Sequence, residues 1–246
     1  GPLVSEGRER DPVSRLVLEY DGTRFAGWAR QPGARTVQAE VERALAVILH
    51  RPTAELTVAG RTDAGVHARA QVASYHGEPA RIGGLNALLP DDVAALECVS
   101  APAGFDARLD ATSRAYSYRV LGRRERSPFE HGRALFWPHR IDPGPLRECA
   151  AALVGKHDFT AFTPTETHHV RFSRDVFSAV WRTRRGGELL EFSIEADSFM
   201  RHMNRVLVGT MLQVAAGRRS VADFVSLLSG RSRSCAGPTA GAHGLY

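Results

Sequence analysis

The sequence predicts an α+β fold, with helices on one face of a largely antiparallel sheet. Some segments alternate apolar and polar residues as strands do, and others repeat apolar residues at helical spacing. A glycine-rich turn joins two predicted strands directly, which is typical of an antiparallel hairpin. Each half of the chain runs strand, helix, strand, strand, helix, strand, or close to it. Hairpins mixed with non-adjacent helices are typical of α+β layers.

The first half contains two predicted helices and four predicted strands. The helix over 37–50 follows Thr36, a residue type suited to cap a helix, and repeats apolar residues at helical spacing. A short helix over 85–89 ends before Pro90, because proline cannot continue the helical hydrogen bonds. The strands are predicted over 15–20, 55–59, 71–76 and 93–99.

The second half is predicted to follow a similar order. The turn Gly186-Gly187 joins two long strands, and Gly155 and Gly217 each end a helix. The predicted strands cover 115–121, 176–184 and 189–196, and the predicted helices cover 145–154, 200–216 and 221–228.

An irregular segment over 101–110 offers the best domain boundary. We therefore expect a flexible leader over 1–14, an N-terminal α+β half over 15–105 and a C-terminal α+β half over 106–246. The leader is polar and charged and lacks the apolar segment of a secretory signal.

The composition indicates a globular cytoplasmic protein. Hydrophobic residues make up 43% of the chain and charged residues 24%, which argues against a disordered or fibrous protein. No apolar run reaches the roughly 18 to 20 residues that a membrane-spanning helix needs. The three cysteines form no CxxC pair, which argues against a structural zinc site and a disulfide framework.

The charge suggests an anionic partner. The net charge is +5, and every basic residue except Lys156 is an arginine. The planar arginine fork donates paired hydrogen bonds to phosphate, and a basic surface favours nucleic acid. The alternative is a GC-rich genome that encodes arginine where another would encode lysine.

The segment 59–68 concentrates reactive residue types in one loop. It follows a predicted strand and carries Arg61, Asp63 and His67 together with two glycines, at positions 60 and 65, which permit close approach of a ligand. From spacing alone, a tight turn in which Asp63 bonds to its own backbone is the stronger interpretation. Asp63 belongs to no paired-carboxylate or metal-ligand pattern.

The sequence of 60–68, GRTDAGVHA, resembles the signature of the tRNA pseudouridine synthase A family, in which the aspartate is catalytic. Further resemblances follow in order from about residue 15 to 246. Ala29 and Gly241 depart from the family pattern, in which Gln and Pro are common. The other matching segments are 20–28, 35–38, 105–108 with 114–118, 155–162, 199–205 and 237–246.

The resemblance implies an activity and an architecture. Members of the family detach uracil from ribose, rotate it and rejoin it through C5, without a cofactor, at uridines 38–40 of the tRNA anticodon stem-loop. The fold implied has two related halves around a central RNA-binding cleft. The partner implied is tRNA, bound by a homodimer.

The resemblance also assigns Asp63 as catalytic and Tyr116, Arg61 and Arg205 as substrate-binding. Arg61 could fill the gap left by a flipped base or hold phosphate, but it could equally be an exposed surface arginine. Tyr116 could stack on uracil and offer its hydroxyl, whereas Tyr118 suits a core position better. Since nearly all its helix is apolar, Arg205 is expected to be buried and to need an anion.

Residue chemistry alone does not decide which group is the partner of Arg205. A C-terminal carbonyl or an unrelated glutamate would serve, whereas the resemblance makes the partner Asp63.

Two other functions compete with the interpretation as a pseudouridine synthase. A non-catalytic RNA-binding module would use the same sheets without the isomerisation, but the joint presence of Asp63, Tyr116 and Arg205 argues against it. A metal-dependent nuclease or deaminase would need ligands, and the histidines are not spaced as a compact set, so we expect no metal. These histidines are His67, His168, His169 and His202.

Overall fold

The computed structural model describes residues 11–246 and divides into two compact units. The first unit ends at Ala111, and the second is Thr112–Tyr246. The predicted boundary lay after residue 105. The segment beyond it is bound to the first unit, because the buried Ala107 donates its N–H to Ser74 Oγ at 3.0 Å. Residues 1–10 of the predicted leader lie outside the described residues.

The first unit has the predicted order of strand, helix, strand, strand, helix, strand. Its sheet is antiparallel throughout, in the order β2-β3-β1-β4. A 3-10 turn, Gly22–Arg24, follows the first strand. The elements are β1 (Val13–Tyr20), α1 (Val37–Ile48), β2 (Thr57–Val58), β3 (Ala68–His76), α2 (Ile82–Leu88) and β4 (Val93–Ala101).

The core of the first unit lies between one face of this sheet and both helices. Alternate residues of a strand point to the same face, so Leu16 and Leu18 of β1 point together toward the helices. They are fully buried in one cluster with Val41 and Leu45 of α1 and Leu85 of α2. Helices on one face of an antiparallel sheet confirm the predicted α+β class for this unit.

The second unit has a five-stranded sheet in the order β6-β5-β9-β8-β7. Only the β5–β6 pair is parallel. The elements are β5 (Arg114–Leu121), β6 (Leu135–Phe136), α3 (Pro143–Leu153), β7 (Gly155–Asp158), β8 (Ser173–Arg184), β9 (Leu189–Ala196), α4 (Met203–Ala215) and α5 (Val221–Ser226).

The second unit also packs helices on one sheet face. Trp181 of β8 and Phe192 of β9 face each other, with ring centroids 5.2 Å apart. The indole of Trp181 donates to Met211 Sδ of α4 at 3.3 Å, so the helix lies directly on these strands. Within residues 11–246, no helix is both long and apolar enough to cross a membrane.

Apart from shifts in the ends of some elements, two features of the second unit differ from the prediction. β6 and β7 were not predicted, because they span two and four residues and show no apolar alternation. No full strand follows the last helices. Tyr246 instead pairs with Ser117 of β5 through two main-chain hydrogen bonds, of 2.8 and 3.0 Å.

Helix α4 begins at Met203, three residues after its predicted start. His202 has a φ of +60°, and this left-handed conformation cannot belong to the helix. The predicted end at Gly217 is confirmed. Gly217 has a φ of +77°, its N–H donates to Val214, and the N–H of Arg218 donates to Gln213, which together form a Schellman cap.

A buried carboxylate fixes the loop between β5 and β6. Glu130 accepts two hydrogen bonds from Arg119 of β5, of 2.6 and 3.1 Å, and one of 2.8 Å from Arg185, in the turn between β8 and β9. The hydrogen bond from Arg119 holds the pKa of Glu130 below its ordinary value. Glu130 therefore ties the loop to two parts of the sheet.

We expect Glu130→Gln to destabilise the protein by about 2 kcal/mol at neutral pH, since hydrogen bonds to a charged group are lost. A carboxylate whose pKa is lowered by folding stabilises the fold above its unfolded-state pKa, and this stabilisation disappears as the pH falls through the folded-state pKa. The difference in Tm between parent and variant should therefore shrink in acid. Thermal unfolding across the pH range measures it.

Glu125→Gln is the matched control, because Glu125 is exposed in the same loop. It should leave Tm unchanged at every pH. A loss at Glu130 that is independent of pH would contradict the assigned role of its charge.

Candidate active site

The loop that carries Asp63 is bound to the segment after β1 by main-chain hydrogen bonds. Trp28 donates its N–H to Thr62 O at 3.0 Å, and Gly65 donates its N–H to Phe25 O at 3.3 Å. These bonds lie on either side of Asp63, whose side chain is partly exposed. The Asp63 carboxylate therefore lies near the protein surface, on a loop whose backbone is held by hydrogen bonds before and after it.

A backbone turn follows Asp63. Val66 donates its N–H to Asp63 O at 3.1 Å, and Gly65 has a φ of +82°, which favours glycine. In an Asx turn, the Asp63 side chain would accept from the N–H of Gly65. That N–H donates to Phe25 O instead. The observed turn is therefore closed by main-chain groups.

Two glycines allow this close approach of backbone to backbone. A Cβ at position 22 would overlap the carbonyl oxygen of Val66. A Cβ at position 27 would lie 2.9 Å from Thr62 O, and Gly27 itself has a φ of +89°. Only glycine fits both positions without displacing the loop.

Gln71 of β3 binds the other side of the loop. Its Nε2 donates to Gly60 O at 2.8 Å and to the Tyr20 hydroxyl at 3.2 Å, and that hydroxyl lies 2.8 Å from Thr62 Oγ1. Burial raises the pKa of Tyr20, so its hydroxyl stays neutral. No sequence pattern distinguishes Gln71, because its role depends on strand register.

His67 is a buried hydrogen-bond acceptor. Its Nδ1 accepts the N–H of Gly22 at 2.9 Å, so the proton of the neutral ring lies on Nε2. Asp21 Oδ1 lies 3.3 Å from the same nitrogen, but it accepts the N–H and hydroxyl of Thr23. The contact of His67 with Asp21 is therefore not an ion pair. His67 holds the end of the Asp63 loop on the 3-10 turn.

Arg61 is exposed in the same loop. This position suits either of the interpretations left open for it.

Tyr116 lies in the second unit, on β5 opposite Ile194. Its ring is partly exposed and meets Phe199 edge to face, with centroids 5.0 Å apart and planes at 90°. Tyr118, on the same strand face, is fully buried and donates its hydroxyl to Gly241 O at 2.6 Å. The expectation that Tyr118 is the more buried of the two is confirmed.

Arg205 lies near the start of α4 and is partly buried, less than expected. Although the neighbouring helix positions are almost all buried, Arg205 keeps part of its side chain accessible. Its Nε donates to Ala240 O at 2.8 Å, and Ala240 donates its N–H to Arg205 O at 3.0 Å. A main-chain carbonyl therefore holds the guanidinium at Nε.

The other three histidines considered as metal ligands, His168, His169 and His202, lie in the second unit. His169 Nε2 accepts the N–H of Arg201 at 3.4 Å, and burial lowers the pKa of His169. In the described part of the chain, no group of three or more His, Cys, Asp and Glu side chains could hold a metal ion.

Comparison with known proteins gives a consistent result. A family model described as tRNA pseudouridine synthase matches residues 149–246. The tRNA pseudouridine synthase A of Methylococcus capsulatus is 43% identical over 239 residues, covering 94% of this chain and 86% of that protein. The tRNA pseudouridine synthases A of Chromobacterium violaceum and Bacillus pumilus are 40% and 36% identical, each over 94% of this chain and over 89% and 96% of their own lengths.

The glycine contact at position 22 yields a test of the loop. We expect Gly22→Ala to destabilise the protein by about 2 kcal/mol, because the added methyl group must push the Val66 carbonyl away. Hydrogen exchange at the amides of 62–67 should increase as the loop loosens. Thermal unfolding and hydrogen exchange measure the two effects.

Gly83→Ala is the control, because a Cβ at position 83 in α2 meets nothing within 4 Å. It should leave stability unchanged or raised, since alanine favours the helix. Equal destabilisation by both variants would show that the Gly22 contact is not specific.

Proposed function

This chain belongs to the tRNA pseudouridine synthase A family, and we propose that it converts uridine to pseudouridine at positions 38–40 of the tRNA anticodon stem-loop. The observation that carries the proposal is a partly exposed Asp63 on a loop whose backbone is bound on both sides, within a chain that matches the family over 94% of its length.

The proposed reaction balances without a cofactor. The bond from ribose C1′ to uracil N1 breaks, and a bond from C1′ to C5 forms. C5 loses a proton, and N1 gains one. Because no oxidant, reductant or group donor is needed, side chains of the protein suffice for the chemistry.

We assign the central role to the Asp63 carboxylate. An ionised aspartate can attack the sugar or the base, can stabilise developing positive charge, and can later accept a proton. Each of these roles requires a fixed position relative to the ribose, since small displacements of a reacting group lower the rate steeply. The hydrogen bonds of Thr62, Gly65 and Val66 supply that restraint.

Tyr116 is proposed to contact the uracil. Its ring is partly exposed, and Phe199 supports it from the side. A flipped base needs a flat surface on which to stack, and the tyrosine hydroxyl can also donate or accept a proton.

Arg205 and Arg61 are proposed to supply positive charge. The Ala240 carbonyl bound to Nε fixes the plane of the Arg205 guanidinium, which prepares it for an anion. The exposed Arg61 is proposed to fill the space of the flipped base or to hold a phosphate.

The assembly and location are also proposals. We propose a cytoplasmic homodimer that binds tRNA, because family resemblance implies the dimer and the net charge of +5 favours an anionic partner.

The first prediction of the proposal concerns Asp63. The parent should release tritium from C5-labelled uridine in unmodified tRNA, and substitution of uridines 38–40 by cytidine should abolish the release. Asp63→Asn removes the charge and keeps the size, so release should fall by at least about 1000-fold while tRNA affinity is retained.

Asp91→Asn is the matched control, because Asp91 is an exposed aspartate of the same unit. It should keep full activity. Parent protein that binds tRNA but releases no tritium would support the non-catalytic RNA-binding function instead. Substantial turnover by pure Asp63→Asn protein would refute the catalytic assignment.

The second prediction concerns Arg205. Arg205→Lys keeps the charge and loses Nε, whereas Arg205→Met loses both. We expect kcat to fall by about tenfold for lysine and by about 100-fold or more for methionine. Single-turnover rates of tritium release measure both.

Arg218→Met is the control for loss of positive charge, since Arg218 is exposed at the other end of α4. It should keep the parent kcat. If lysine restores the full rate at position 205, the Nε hydrogen bond has no part in catalysis.

A further inference from the structure

The segment 237–246, here called the strap, crosses both elements of the second unit that carry proposed site residues. It lies against α4, which carries Arg205, and then against β5, which carries Tyr116.

The strap is attached to α4 through main-chain groups. Gly237 donates its N–H to the buried Thr210 hydroxyl at 2.9 Å. A Cβ at Gly209 would overlap the Pro238 carbonyl oxygen, so the two backbones are in direct contact there. Ala240 then exchanges two hydrogen bonds with Arg205, one with its backbone and one with Nε.

The strap is attached to β5 by the residues that follow. The Tyr118 hydroxyl donates to Gly241 O at 2.6 Å. A Cβ at Gly244 would lie 2.6 Å from the Tyr118 ring, so this glycine packs directly on it. Tyr246 and Ser117 then pair through their main chains.

The two side-chain bonds fall on consecutive carbonyls. Ala240 O accepts from Arg205, and Gly241 O accepts from Tyr118. The two carbonyls belong to adjacent planar peptide units that meet at the Gly241 Cα, so a hydrogen bond to each unit leaves little freedom in the two torsion angles between them. The Arg205 guanidinium has five donors in one plane, and a bond at Nε sets the direction of the other four.

We propose that the strap orients Arg205 for the reaction, and that Tyr118 is a positioning residue that acts through Gly241 and Ala240. The inference rests on the proposed function, in which Arg205 supplies positive charge. Tyr118 is fully buried, so its side chain is not accessible to tRNA. Its effect on catalysis passes through Arg205.

The test is a double-mutant cycle with Tyr118→Phe and Arg205→Lys. Tyr118→Phe keeps the buried ring and removes the bond to Gly241. In the parent background, we expect kcat for tritium release to fall by about tenfold while KM for tRNA changes by less than about twofold. In the Arg205→Lys background, which lacks Nε, Tyr118→Phe should have almost no further effect on kcat.

A purely structural role of Tyr118 would give a different result. The loss would then be the same factor in both backgrounds, or it would appear in KM alone, and either outcome overturns the inference. An inactive parent protein would instead refute the proposed function, so the two failures are distinguishable.

Tyr75→Phe is the matched control. Tyr75 is a buried tyrosine of the first unit whose hydroxyl donates to Glu78 O at 2.8 Å. The same chemical change there should lower stability and leave kcat unchanged. A fall in kcat equal to that of Tyr118→Phe would mean that any lost buried hydroxyl slows the reaction, which also overturns the inference.

Thr210→Val supplies a second, independent variant. It removes the bond to Gly237 at the other attachment of the strap and keeps the side-chain shape. We expect the same fall in kcat, again absent in the Arg205→Lys background. If Tyr118→Phe does not fold, this variant decides the inference on the same criteria.

Discussion

Direct packing of main chain on main chain, with no side chain between, is the constraint on which both units depend. Gly22 lies against the Val66 carbonyl in the first unit, and Gly209 lies against the Pro238 carbonyl in the second. Any Cβ at either position would overlap a carbonyl oxygen, so no other residue permits the contact unless the backbone moves. In one unit the contact fixes the loop of Asp63, and in the other it fixes the strap that holds Arg205.

The arginine-rich composition has two separable parts. Some arginines compensate carboxylates that are buried in the fold, as Arg30 does for Glu42 and Arg119 does for Glu130. Glu42 also accepts hydrogen bonds from Gln38 and from the N–H of Leu56, and such additional bonds are what make a buried ion pair tolerable.

These buried ion pairs add nothing to the net charge. The net value of +5 must therefore come from the other charged residues, and exposed arginines such as Arg61 can attract RNA by counterion release.

Local patterns predicted the elements whose signals are local. The order of the first unit and the end of α4 at Gly217 follow from periodicity and from a glycine in the left-handed conformation. The late start of α4 does not follow from local patterns, because His202 adopts the left-handed conformation, which is uncommon for any residue other than glycine. The pairing of Tyr246 with Ser117 was not predicted either, since it joins residues far apart in the sequence.

In the candidate site, too, local patterns predicted only part of what the structure shows. Spacing alone favoured a self-bonded turn at Asp63, and only the resemblance singled out that residue. In the structure, the N–H that such a turn would use is bonded to Phe25. The contacts of Gln71 and the hydrogen bond from Tyr118 to Gly241 were not predicted, because they depend on sheet register and on long-range contacts, neither of which a single sequence displays.

The two proposed charged groups need different kinds of restraint, because their side chains differ in length. Aspartate is short, so a loop fixed at Thr62, Gly65 and Val66 leaves its carboxylate few positions. Arginine has a long flexible chain and loses much rotamer freedom when it is held in place. A well-packed helix therefore cannot by itself determine where the guanidinium of Arg205 lies. A contact near the end of the side chain is required, and the Ala240 carbonyl at 2.8 Å from Nε provides it. The Asp63 carboxylate is therefore restrained through the backbone of its loop, whereas the Arg205 guanidinium needs a hydrogen bond near the end of its own side chain.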